Sequence, residues 1–174
     1  MPETNISAAM RTALGSELGR RVSFPVSESD IRRWAIAVYW PEQSPQLFWD
    51  AAYAAGTRYG GIVAPEDFNP FAWMSAEAWS PGDGEGIDAN DPDRTELLLG
   101  IPGPGLKFQL NGGMSVEYGE RIRPGDVITS VNRLESYTER QGRLGLMLMT
   151  VTEDTWTRAD GTLVKRGRNT LIRY

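Results

Sequence analysis

Apolar and polar positions change period near the middle of the chain. In the first third they recur at helical spacing. Ile31, Trp34, Ala35 and Val38 make one stripe, opened by Ser27 with Asp30 three residues on, as in a capping box, and stopped by Pro41. Ser44 and Pro45 supply the N-cap and first position of a second helix with Phe48, Ala51, Ala52 and Ala55 on its apolar face; Gly56 ends it. A third helix is predicted over 69–79, from Asn69 and Pro70 through Phe71, Trp73, Met74 and Ala78 to Trp79, with Pro65 upstream in an extended or turn segment. Ahead of all three, a short polar lead runs into a small strand over 21–26.

The second half alternates with period two. Leu106, Phe108 and Leu110 share one phase, and after Gly112-Gly113 the same phase resumes with Met114, Val116 and Tyr118. Paired glycines inside a strand predict a bulge or a close backbone approach. Pro124-Gly125-Asp126 reads as a turn, 127–140 as a long strand, and 144–151, apolar on both faces, as a central strand. Asp160-Gly161 marks a hairpin, and 163–174 returns as the last strand. Helices followed by four long consecutive strands predict an α+β domain with a long antiparallel sheet.

Between the halves lies a stretch of another kind. Residues 80–94 hold turn formers and five acids against Arg94 alone, a net −4 of the chain's −5. Such composition favours a solvated loop over a functional lid, and the whole of 80–104 reads as a flexible acidic insertion.

Composition then removes chemistry. The 174 residues, 40% hydrophobic, suffice for one domain with a sizeable core and contain no cysteine and no histidine. Thiol nucleophiles, disulfides, thiolate metal sites and Ser-His or Cys-His arrangements are therefore excluded within the chain, and so is the commonest acid-base group near neutral pH. No metal site and no cofactor is expected. The net charge of −5 and a pI near 4.9 argue against a nucleic-acid partner. No basic leader and no membrane-spanning apolar run is present in the sequence, so a soluble, cytoplasmic protein is expected.

Three stretches carry a resemblance to the MaoC-like dehydratase family. They are the helix-loop-helix over 31–56 with Gly61-Ile62-Val63-Ala64-Pro65 behind it, the run Tyr118-Gly119-Glu120-Arg121-Ile122-Arg123-Pro124-Gly125-Asp126, and the closing hairpin from Thr152-Glu153-Asp154-Thr155-Trp156 through Asp160-Gly161 to Thr170-Leu171-Ile172-Arg173. The family has the hotdog fold, a long antiparallel sheet wrapped around a central helix. Its catalytic members carry Asp-x-Asn-Pro-x-His on the loop before the second helix, because hydration across a double bond needs one group to take a proton while another delivers one. This chain reads Glu42-Gln43-Ser44-Pro45-Gln46-Leu47 there. The proline is kept, Glu42 stands at the aspartate position, and Leu47 stands at the histidine position. The resemblance thus implies a non-catalytic subunit that shapes the acyl tunnel of an (R)-specific enoyl-CoA hydratase or 3-hydroxyacyl-thioester dehydratase, in fatty-acid or steroid side-chain metabolism. Its partner is then a second MaoC-like hotdog subunit carrying the catalytic Asp and His, and its substrate an acyl-CoA or acyl-carrier-protein thioester.

The resemblance also nominates residues. Backbone N–H groups near Ala64-Pro65-Glu66 or Asn69-Pro70-Phe71 would face the thioester carbonyl, although proline removes a donor and Glu66 and Asp67 oppose an anion. Ala64, Pro65, Phe68, Phe71 and Trp73 are the substrate-binding candidates; aromatic residues at helical spacing more often form core. Arg121 and Arg123 are candidates for the phosphates of coenzyme A, with a solvated strand edge as the plainer reading. Gly112 and Gly113 are assigned to a subunit interface. Two other readings stay open: a stand-alone dehydratase using Glu42 with Tyr39 or Asp50, and a hotdog acyl-thioester binding protein without catalysis.

Overall fold

Local chemistry sets the helices, in a computed structural model that describes residues 4–72, 86–88, 90–143 and 145–174. The hydroxyls of Ser7 and Ser27 accept backbone N–H groups and so open α1 (Ala8–Thr12) and α2 (Glu28–Tyr39). At α2 the expected capping box is complete: Ser27 Oγ accepts the Asp30 N–H at 3.1 Å, and the Asp30 carboxylate accepts the Ser27 N–H at 3.2 Å. The buried stripe follows the i+4 row Ile31, Ala35 and Tyr39, which leaves Val38 57% exposed instead of buried. Trp34 flanks that row and meets the ring of Phe68 edge-on at 5.7 Å.

The predicted second helix is broken in two. The N–H groups of Phe48 and Trp49 bond the carbonyls of Pro45 and Gln46, a single 3₁₀ turn over Gln46–Phe48. Asp50 then caps α3 (Ala51–Ala55), its carboxylate accepting the Tyr53 N–H at 3.0 Å, and Gly56 ends the helix as expected. An aspartate satisfies orphan donors at a cap better than it serves a helix interior, which is why the break falls there. Phe48 and Ala54 form the buried face, whereas Ala51, Ala52 and Ala55 are exposed. Of the predicted third helix, residues 69–72 form a turn in which the Asn69 carboxamide accepts the Phe71 N–H. Trp73, Met74, Ala78 and Trp79 lie outside the described residues.

The first strand starts earlier than its sequence pattern predicts. β1 is Glu17–Val22, and residues 23–26 are held to the sheet by isolated bonds, Ser23 N–H to Ile128 and Val26 N–H to Asp126. The four long strands follow: β2 (Gln109–Tyr118), β3 (Ile128–Gly142), β4 (Gly145–Arg158) and β5 (Leu163–Arg173). All pairs are antiparallel, in the order β1-β3-β4-β5-β2, which puts β4 at the centre as its two-sided apolar character requires. The domain is α+β.

Bulges decide which side chains face inward. Leu110 lies opposite Ile172 and Met114 opposite Asn169, three residues apart on β5, so the two point to opposite faces although sequence parity puts them on one. The extra residue sits between Asn111 and Gly113, and the Gly113 φ of +116° is a conformation that favours glycine. β3 is offset in the same way between Leu134 and Ser136, which makes Tyr137 and not Ser136 share the face of Leu134.

That inner face carries two apolar clusters. Ile128, Trp156 and Val164 lie under Ile31, Ala35, Phe48, Phe68 and Phe71 at one end, and Leu148 packs with Ile6 and Met10 toward the other. The acidic insertion is corrected in part. Residues 94–98 form α4 (Arg94–Leu98), and Glu96 on it is fully buried against Arg173, the last residue of β5. Two hydrogen bonds of 2.7 and 2.8 Å join guanidinium to carboxylate, and the Tyr137 hydroxyl donates to Glu96 at 2.6 Å. Burial, then that bond, raises the Tyr137 pKa. No spacing rule links residues 77 apart, so neither partner stood out in the sequence.

Candidate functional site

The turn at Pro124-Gly125-Asp126 is built around one carboxylate. Asp126 Oδ2 accepts the Arg123 N–H at 2.7 Å and lies 2.9 Å from Arg158 Nε. The Arg158 contact is an ion pair without a straight hydrogen bond, since that N–H is not aimed at an acceptor. Gly125, at φ +88°, donates to the Val26 carbonyl and ties the turn to the segment before α2. The Asp of Pro-Gly-Asp therefore works as a strut between strand, turn and hairpin.

Arg121 and Arg123 are taken up in the same construction. The Arg121 guanidinium donates to the Ala64 carbonyl at 3.1 Å and to Glu66 at 2.9 Å; that of Arg123 donates to the Tyr59 carbonyl at 2.8 Å. Both arginines clamp the 59–66 loop, a role that competes with holding coenzyme A phosphates. Tyr118 adds a third tie by donating to Asp67. That bond, with some burial, pushes the Tyr118 pKa up to about 12.

The predicted substrate-binding residues are brought together, but as core. Ala64 and Pro65 are buried, and Phe68 and Phe71 are 1% and 8% exposed. Phe71 meets Trp156 edge-on at 5.1 Å. Beside Pro65 and Arg121 the crevice measures about 10 Å³, room for no more than a water. Two of the backbone donors proposed to face a thioester are engaged: Ala64 N–H bonds the Ile122 carbonyl, and Phe71 N–H bonds the Asn69 side chain. Trp73 lies outside the described residues.

Glu42 and Leu47 part company. Glu42 is exposed on the rim of an open cleft of about 420 Å³ that it shares with Arg32, Ile36, Trp40 and Trp49. Leu47 packs half-buried against the first apolar cluster. Both side chains proposed as companions for Glu42 have other contacts: the Asp50 carboxylate caps α3, and the Tyr39 ring packs on that of Phe48 with centroids 5.9 Å apart. Among the described residues no three carboxylates gather to hold a metal, and no helix is long and apolar enough to cross a membrane.

The family model for the FAS1-like dehydratase domain region matches residues 12–166. The chain belongs to this FAS1-like dehydratase family. Its fold is that of the MaoC-like hotdog proteins. A MaoC-like dehydratase from Rhodospirillum rubrum is 18% identical, with 93% of this chain and 92% of that one covered and a TM-score of 0.54. The ChsH1-ChsH2 complex from Mycobacterium tuberculosis is 20% identical, covering 91% and 84%, at 0.60. The C-terminally truncated HadBC (3R-hydroxyacyl-ACP dehydratase) complex from the same organism is 19% identical, covering 91% and 99%, at 0.54. No curated protein matches the chain. Gly112 and Gly113 sit on β2, which with β1 forms the two edges of the sheet. A Cβ at Gly112 would approach Ile172 Cγ1 and Thr170 Cγ2 at 2.9 Å, so close contact with β5 accounts for that glycine locally.

Proposed function

We propose that this chain is the non-catalytic subunit of a heteromeric (R)-specific enoyl-CoA hydratase or 3-hydroxyacyl-thioester dehydratase. It completes a double hotdog with a second MaoC-like subunit that carries the Asp and His. One observation carries the reading: at the family's catalytic loop a half-buried leucine, Leu47, packs into the core where a histidine would act, and Glu42 beside it is exposed. Two of the similar structures are complexes by name, ChsH1-ChsH2 and HadBC, which supports a heteromer. In hydration the oxygen of water adds to the β carbon of the enoyl thioester and a proton is delivered to the α carbon. In this arrangement the partner's pair would handle both protons, while this chain shapes the acyl path and stabilises the assembly.

The test is co-expression with a MaoC-like subunit bearing Asp-x-Asn-Pro-x-His. A stable complex that hydrates enoyl-CoA, with this chain alone inactive, is the expected result. Full turnover by the isolated chain would sink the proposal.

A further inference from the structure

In an antiparallel sheet with helices on one side only, each strand alternates between apolar side chains on the covered face and polar ones on the solvated face. The described helices all lie on one side: Ile31 of α2 and Ala54 of α3 join the cluster of Ile128 and Trp156, Met10 of α1 packs with Leu148, and Glu96 of α4 reaches Arg173. The opposite face should then be polar throughout. One half of it is not.

The departure is plainest on β4. Leu148 and Thr150, 0% and 1% exposed, face the helices, so Met149 and Val151 face away. Met149 stands opposite Ile172, and Ile172 opposite Leu110, which makes one apolar row across β4, β5 and β2. Two residues from Leu110 and Ile172, and so on the same side, Phe108 and Tyr174 exchange backbone hydrogen bonds and stack their rings at 5.6 Å. Leu110 and Phe108 are 51% and 62% exposed. No described helix covers this half, and contiguous apolar surface of that kind marks an interaction site.

The other half of the same face is charged but neutralised within the chain. Glu135, Arg168, Glu153, Arg166 and Glu117 form an unbroken ladder of ion pairs across β3, β4, β5 and β2, and Arg133, Glu17 and Arg20 extend the pattern to β1. Every carboxylate there meets a guanidinium, whereas the chain as a whole carries −5. A partner attracted by opposite charge would be drawn to the rest of the surface, and two identical chains repel each other least at this face. Its size fits as well. Five strands about 4.8 Å apart, with roughly ten residues of about 3.4 Å along them, span roughly 800 Å², the share each side gives to an interface of about standard size. A two-fold axis through the apolar half would set that half against itself and leave the ladders as a polar rim.

We propose that this outer face is the docking surface for a second copy of the chain, packed sheet against sheet in a two-fold dimer. The proposal does not depend on the catalytic reading, and the co-expression test stands or falls separately. Sedimentation equilibrium of the full chain tests it at concentrations up to about 100 μM, above the micromolar weak end of standard interfaces. The mass should rise with concentration to twice the 19.3 kDa of one chain. Met149→Lys, present twice in the dimer, should raise the dissociation constant at least about thirtyfold. Trp40→Ser, at an apolar residue 78% exposed elsewhere on the surface, should leave it unchanged. A wild-type chain that stays at the mass of one copy would overturn the proposal, as would a folded Met149→Lys variant that still dimerises or a Trp40→Ser variant that weakens the dimer equally. If Met149→Lys instead dissociates the co-expressed complex while the lone wild-type chain is monomeric, the face belongs to the other subunit and the second copy is excluded. Should Met149→Lys fail to fold, Val151→Cys decides, since the chain has no other cysteine. Its maleimide labelling should slow about tenfold or more between dilute and concentrated protein, and an unchanged rate would overturn the assignment.

Discussion

The loop over 42–47 and the turn over 119–126 both carry the family resemblance, yet they are wired differently. At the turn the charged groups are engaged: Asp126 by the Arg123 N–H and Arg158, Arg121 by Ala64 and Glu66, and Arg123 by Tyr59. In the loop the Glu42 carboxylate takes no hydrogen bond among the described residues, and Leu47 contributes only apolar contact. The polar groups that remain hold the scaffold. The loop has Leu47 where the motif has histidine, which is the division that the proposed subunit role predicts.

The largest effect should come from the most deeply buried part of that wiring. Arg173→Met leaves the Glu96 carboxylate at zero exposure without its cation, and loss of about 3–5 kcal/mol is expected. Urea unfolding monitored by circular dichroism measures it. The double variant Arg173→Met with Glu96→Leu should recover much of the loss, because an unpaired buried charge harms more than the pair helps. If the double variant is no better than the single one, the pair does more than neutralise itself. Next comes Asp126→Asn, which removes the charge facing Arg158 while leaving an acceptor for the Arg123 N–H. A loss of about 2 kcal/mol is expected in the same measurement.

Much of the fold was legible because it follows from local rules. Ser27 with Asp30 announced α2, and alternation with Asp160-Gly161 announced the four strands. Parity failed at Gly112 and Glu135, where bulges add a residue and swap faces; a bulge is set by cross-strand packing, which a single strand's pattern does not contain. The site was legible mainly as an absence. Zero histidine and Leu47 stood in the sequence, whereas the Glu96–Arg173 pair joins a helix to a strand 77 residues further on. Arg121 and Arg123 looked like phosphate ligands because sequence shows charge but not the carbonyls already bound to it.

A titration sharpens the contrast at the scaffold side. The folded pKa of Tyr118 is up to about 12 against an ordinary 10, held there first by its bond to Asp67. Between these values the unfolded chain has released the proton and the folded one has not, so stability falls as pH rises through that window. Below it the contribution is fully present. Tyr118→Phe should flatten the decline of the urea midpoint between about pH 10 and 12, leaving a residual slope from Tyr137, whose pKa is also raised. An unchanged slope would mean the Asp67 tie carries no weight.

Glu42→Gln should do least, and its smallness is informative. An exposed carboxylate with no partner among the described residues contributes within about 0.5 kcal/mol of nothing to stability. If the loop has truly handed its chemistry to the partner, hydratase turnover of the co-expressed complex should also stay within about twofold of wild type, a barrier change near 0.4 kcal/mol. A stand-alone enzyme relying on Glu42 would instead lose activity by the hundredfold or more that removal of a general acid or base brings. The two outcomes lie far enough apart that one progress curve of enoyl-CoA consumption separates them. Leu47→His complements the experiment. It restores the family's residue at a half-buried position, where the imidazole displaces apolar contact. Stability should drop without activity appearing in the isolated chain, because Glu42 on the cleft rim and residue 47 in the core do not face a common point.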